Sequence, residues 1–279
     1  MIAVLGGLGA AACWSAGTIS AARASRLVGP QAVLAWVMLV GLVLVAPLAL
    51  GSGAPDGLHG SLVVWFVLAG AGNVGGLLLA YDAMRLGKVS LVAPITSCEG
   101  AIAAVLAVAA GESLGVASGL VLAAIVLGVV LASRTPGDAG DHPARATALA
   151  VGAAGLFGLS LFATAKVSAA LPLTWALVPP RLVGVLAVTV PVAARRRLRI
   201  ERRAVPLVVF SGLCEVGGFA SYAEGSRHGI AIAAVLASQF ATLTALAAFV
   251  LFRERLARLQ LAGIALVALS VGVLSALQA

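Results

Sequence analysis

Glu215 stands in "PLVVFSGLCEVGGFASYAEGSRHG", residues 206–229, deep in a run that is otherwise apolar or small. A carboxylate at the middle of a hydrocarbon layer costs roughly 2.5–3.5 kcal/mol on insertion scales, so it must face a cavity, a partner or water. Three chemistries suit it: attracting a substrate ammonium, exchanging a proton, or neutralising a buried cation. Burial favours the neutral form of a carboxyl group, which is what proton exchange near neutral pH requires. At 1.5 Å per residue, Glu215 lies about 15 Å beyond Pro206, near the middle of a bilayer. Helical spacing puts Ser211, Glu215, Gly218 and Tyr222 on one face, a stripe of small and polar groups that suits a pocket wall.

A second acid, Glu99, lies in "LVAPITSCEGAIAAV", with Thr96 one helical turn before it and Pro94 positioned to free backbone carbonyls toward a cavity. Asn73 provides a polar position at a depth equivalent to that of Glu215. Arg181, in "VPPRLVGV", is a deeply placed permanent cation. It can be the structural partner of Glu99 or Glu215, or it can bind an anionic group of a substrate. It neutralises one glutamate at a time. Trp14, Ser160, Ser238, Gln239 and Thr242 add polar or aromatic groups, of the kind that also hold membrane helices together. The candidate binding or proton-coupling set is therefore Glu215, Glu99, Arg181, Asn73, Tyr222, Trp14 and Gln239.

Catalysis finds less support. His59, His142 and His228 fall in connections, and no nucleotide-binding or metal-hydrolase motif is present. Cys13, Cys98 and Cys214 sit in apolar blocks without metal-ligand spacing. The expectation is no cofactor, no metal and no enzyme activity.

These residues need elements to hold them, and the composition defines their solvent. Hydrophobic residues make up 62% of 279 positions, charged residues 10%, and the mean hydropathy is +1.13. Such a chain is an all-α integral membrane protein. The apolar blocks predict ten membrane helices at 2–22, 31–50, 61–82, 89–110, 114–133, 147–167, 173–194, 205–224, 230–252 and 257–277. The net charge of +8 resides in connections, most densely in "RRRLRIERR" at 195–203, and fits lipid headgroups better than nucleic acid. Trp36, Trp65 and Trp175 are candidate interfacial anchors.

The polar segment 135–146 divides the chain into five helices (1–134) and five (147–279). A shift of 142 positions lays "NVGGLLLAYDAMRLGKV" (73–89) on "EVGGFASYAEGSRHGIA" (215–231), and Glu112 on Glu254. An odd number of helices per repeat forces the second copy to cross the bilayer in the opposite sense, so the expected architecture is two inverted five-helix repeats. Basic residues crowd the connections after odd-numbered helices, which by the positive-inside rule puts both termini outside.

"FGLSLFATAK" (157–166), "PLTWALVPPRLVG" (172–184), "AYDAMRLGKVSLVAPI" (80–95) and "AGESLG" (110–115) resemble the EamA-like permeases of the drug/metabolite transporter superfamily. "WSAGTISAAR" (14–23) is a weaker first-half counterpart, and Met38 stands where the first half should match Arg181. The resemblance implies a secondary transporter in a bacterial inner (plasma) membrane. It would export a small polar or amphipathic metabolite such as an amino acid, by alternating access, in exchange for protons. The resemblance also implies cytoplasmic termini, against the charge count. Efflux of lipophilic cations, as in the related small multidrug resistance proteins, and a sensing scaffold without transport are the alternatives. Expected partners are a small-molecule substrate, membrane lipids and protons, with the chain a monomer or homodimer and no nucleic acid bound.

Overall fold

A computed structural model of the chain describes residues 1–53, 60–86, 92, 95–133, 143–244, 247 and 258–277. Among them the regular structure is entirely helical: α1 (Ile2–Val28), α2 (Pro30–Gly51), α3 (Ser61–Leu86), α4 (Glu99–Ala109), α5 (Val116–Ser133), α6 (Pro143–Ala170), α7 (Leu173–Ala194), α8 (Val205–Ser226), α9 (Ile230–Ala237) and α10 (Arg258–Leu277). Six of these (α1, α2, α3, α6, α7 and α8) are long and apolar enough to cross a membrane, and the others are shorter apolar helices. The outer surface is aliphatic, with Leu5, Val43, Val105, Leu120 and Leu269 all exposed. Side chains of that kind belong against lipid tails.

Several helices outrun their apolar blocks. α1 continues through Arg23 and Arg26 to Val28, where Gly29 (φ 85°) and Pro30 end it. α3 continues to Leu86. α6 starts at Pro143, within the segment expected to be linker, and runs to Ala170. Hydropathy marks the hydrocarbon layer, whereas backbone hydrogen bonding continues into the headgroup region until a glycine or proline stops it.

Two helices are instead interrupted. The continuous helix expected over 89–110 is broken by a turn at Ser97–Cys98, so Glu99 opens α4 instead of standing inside a helix. Pro94 lies outside the described residues, as do Glu254, His59 and His142. α9 is broken by a turn at Ser238–Gln239 and resumes to Thr244. The two breaks nearly coincide in the 142-position register, in which Ser97 falls on Gln239. Non-helical backbone at membrane depth is tolerated where it is buried in protein or lines a cavity.

The packing relations come in matched sets. α3 lies along α6 and α1 along α8, the two most extensive contacts; α1 meets α9 as α6 meets α4, and α2 meets α8 as α7 meets α3. α4 packs on α9 and α5 on α10. Close approach along the two long seams uses small residues and hydroxyls bonded across helices. Ser160 Oγ donates to Ala69 O at 2.6 Å between α6 and α3, and Ser211 Oγ donates to Gly17 O at 3.1 Å between α8 and α1.

Candidate functional site

Helices α1, α3, α4, α6 and α8, together with the segment after the α9 break, enclose a cavity of about 150 Å³. It is lined by Trp14, Thr18, Asn73, Leu77, Glu99, Phe157, Ser160, Leu161, Glu215, Phe219 and Phe240. Most of these residues fall in pairs at a nearly constant separation along the chain. Asn73 matches Glu215 and Leu77 matches Phe219 at 142 positions; Trp14 matches Phe157 and Thr18 matches Leu161 at 143. The supports match as well: a Cβ on Gly76 would strike the Phe157 ring, and one on Gly218 would strike the Trp14 indole. The polarity is not symmetric, because an amide in α3 faces a carboxylate in α8 and Glu99 has Ala241 as its counterpart.

Glu215 sits near the middle of α8, held by Arg181 of α7. The guanidinium Nη1 is 3.4 Å from Glu215 Oε1, and Nη2 donates to the Glu215 carbonyl at 3.3 Å. Arg181 is 1% exposed and lies outside the cavity lining, with its guanidinium 5.0 Å from the Phe219 ring centre and Nη1 3.6 Å from Met38 Sδ. The residue expected to match Arg181 in the first half thus touches it. Local geometry makes room: Pro179 and Pro180 open the Val178–Gly184 segment, a π turn follows at Val185–Thr189, and Gly41 leaves space that a Cβ would fill to 2.7 Å from Arg181 Cδ. Of the two sequence readings of Arg181, this geometry matches the ion pair, with Glu215 as the partner.

Glu99 differs. It is 7% exposed, lines the cavity, and its carboxylate makes no hydrogen bond or ion pair with any described residue. Asn73, also buried, has an amide oxygen without a partner among the described residues. A second cavity of about 140 Å³ shares Thr18, Leu77 and Glu215 with the first and extends between α1, α2 and α3 to Ser25, Pro30 and Tyr81. Glu215 therefore stands where the two cavities meet.

Trp14, Asn73, Glu99 and Glu215 come together in one cavity. Tyr222 and Gln239 lie outside its lining: the Tyr222 hydroxyl donates to Leu161 O at 2.9 Å, and Gln239 Nε2 donates to Val235 O at 3.1 Å. The stripe containing Glu215 divides likewise, since Ser211, Gly218 and Tyr222 serve contacts with α1 and α6. Thr96 bonds back to Val92 O at 3.2 Å and is separated from Glu99 by the turn. Sequence reasoning missed Phe219, Leu77 and Phe240. The first two were legible, each one helical turn beyond Glu215 or Asn73; Phe240 required the break in α9.

Glu112 serves a helix far along the chain. Its carboxylate accepts the backbone N–H groups of Ile230 and Ala231 at 3.1 and 3.2 Å, capping α9 in the other half. Arg227 pairs with the exposed Glu224 at 3.2 Å and also donates to the carbonyls of Ser168 and Leu171 at the end of α6.

No curated protein matches the chain. A solved structure described only as "Crystal structure of protein" superposes with a TM-score of 0.78, covering 99% of this chain and 96% of its own at 18% identity, a likeness of fold alone. Residues 1–134, just under half of the chain, match the EamA-like transporter family.

Proposed function

We propose that the chain is a secondary transporter that carries a small polar or amphipathic solute out through a bacterial inner membrane. It does so by alternating access between two inverted five-helix halves, 1–134 and 147–279. The observation that carries this reading is the central cavity, most of whose wall residues pair between the two halves and whose charges, Glu99 and Glu215, lie within the apolar body. Glu99 and Glu215 act as substrate-binding or proton-carrying groups. Untargeted mass spectrometry of spent medium tests it, comparing bacteria expressing wild type and Glu99→Gln at matched membrane levels. A compound enriched outside only with wild type supports the reading. If wild type and the Gln variants at Glu99 and Glu215 all transport at the same rate with the same pH dependence, the coupling role is wrong.

Alternation requires one end to be closed when the other is open. The α1–α2 end holds the second cavity, which reaches Ser25 and Pro30. The opposite end is tied across the halves by the Glu112 cap on α9, and Arg227 ties α8 to the end of α6. Gly6 and Gly225 bring α1 and α8 into backbone contact at that same end. Losing a helix cap costs about 1 kcal/mol, which is about a fivefold shift in a two-state population. Glu112→Gln is therefore expected to raise severalfold the rate at which a membrane-impermeant maleimide labels a cysteine placed at the buried Ala223, against a control without that cysteine. An unchanged labelling rate would remove Glu112 from the closure.

A further inference from the structure

The charges around the cavity do not cancel, and their placement discriminates between solutes. Two carboxylates face or adjoin the space, and the nearby guanidinium is committed to one of them. Arg181 bonds Glu215 through both its carboxylate and its carbonyl, stacks on Phe219, and is absent from the lining. With both glutamates ionised, the group Glu99, Glu215 and Arg181 keeps one negative charge in excess. That excess resides on Glu99, buried and without a hydrogen-bond donor among the described residues. The surrounding surface is aromatic: Trp14, Phe157 and Phe240 present ring faces or edges to the same space. Trp14 and Phe240 are themselves fixed edge to face, with centroids 6.4 Å apart.

We infer that the central site takes a monocationic amine with an apolar or aromatic body and no carboxylate. The ammonium offsets the excess negative charge, its N–H supplies the donor Glu99 lacks among the described residues, and the aromatic rings favour a cation near their faces. A zwitterionic amino acid is a poor fit, because its carboxylate would enter beside Glu99 and Glu215 while the arginine that could receive it is already engaged. A quaternary ammonium keeps the charge and the ring contacts but brings no N–H to Glu99. This inference rests on the cavity being the substrate site of the transport reading, and it narrows the solute of that reading to one charge type.

The test uses purified full-length protein in lipid nanodiscs, with the thermal unfolding midpoint followed during titration with three probes sharing one body. The probes are 2-phenylethylamine, its N,N,N-trimethyl derivative and phenylalanine. The amine is expected to stabilise at the lowest concentration. The trimethyl compound should bind about tenfold more weakly, the worth of a hydrogen bond to a charged group, and phenylalanine more weakly still. Glu99→Gln should abolish the response to the amine. Since Glu99 makes no hydrogen bond or ion pair with the described residues, its loss should leave the unliganded midpoint unchanged or raised. Phe240→Leu keeps both carboxylates and should weaken amine binding severalfold, which maintains the test if Glu99→Gln expresses poorly. Phenylalanine binding as tightly as the amine, no response to the amine at all, or an amine response that survives Glu99→Gln would each overturn the inference. Failure of the transport reading looks different: the amine binds in a Glu99-dependent way, yet proteoliposomes containing the protein do not move it faster than empty liposomes.

Discussion

Glu215→Gln is expected to destabilise the protein by about 3–5 kcal/mol, the cost of removing one partner from a buried ion pair. The reason lies in the cation left behind. Arg181 is 1% exposed, and its nearest alternatives are the Glu215 carbonyl, the Met38 sulfur and the Phe219 ring, none of which carries a compensating charge. Guanidinium cannot shed its proton in a protein, so the penalty has no escape. The reverse change, Arg181→Met, should cost less. Glu215 is 25% exposed and adjoins two cavities, so water can reach it. The double variant Arg181→Met, Glu215→Gln should recover much of the loss, because neither charge remains unpaired. Unfolding midpoints of the four proteins in one detergent make a double-mutant cycle. Additive effects would mean that the contact at 3.4 Å contributes nothing to stability. Transport should separate from stability here: the double variant folds yet carries no substrate, if Glu215 also serves the solute.

Gly72→Ala is the second large effect, expected to lower stability by about 1–3 kcal/mol through overpacking. Its new Cβ would lie 2.7 Å from the Leu156 carbonyl and 3.2 Å from the Ser160 nitrogen, both backbone atoms of α6. Backbone cannot rotate aside, so α3 and α6 must separate, and the Ser160–Ala69 hydrogen bond crosses the same seam. Gly76→Ala makes an informative contrast. Its Cβ would meet the Phe157 ring at 2.6 Å, and a ring can turn away. That ring lines the cavity, so the loss should fall on ligand binding more than on folding. Gly155→Ala meets nothing within 4 Å and is the neutral control. Thermal unfolding and size-exclusion profiles of the three variants test the distinction. Equal losses in Gly72→Ala and Gly155→Ala would refute the close-seam account.

How much of this was legible in the chain depends on the kind of interaction. Apolar blocks predict ten helices because lipid imposes one condition, that every backbone group be satisfied within the segment, and that condition is written in composition. Helix ends were read less well. α1, α3 and α6 extend into polar sequence, and α1 stops only at Gly29 and Pro30, which end a helix whatever the hydropathy. The break before Glu99 was hidden for a related reason. The signals at the break, Pro94 and the Thr96-x-x-Glu99 spacing of a helix start, are short against an apolar block that reads as continuous, and a helix can be interrupted there because neighbouring segments bury the interruption.

The sequence by itself determined that the protein lives in lipid, that segments 73–89 and 215–231 align at a fixed shift, and that Glu99, Arg181 and Glu215 are too costly to be incidental. These follow from local properties: side-chain hydropathy, a fixed register and the solvation of a single charge. Which carboxylate Arg181 would neutralise was open, because pairing depends on where three separate helices bring their side chains. The tertiary structure puts α7 against α8 at Glu215, leaves Glu99 without a partner among the described residues, and turns Tyr222 and Gln239 to other contacts. It also sends Glu112 to cap a helix more than a hundred residues away. A chain states its charges; only packing decides which of them are left over.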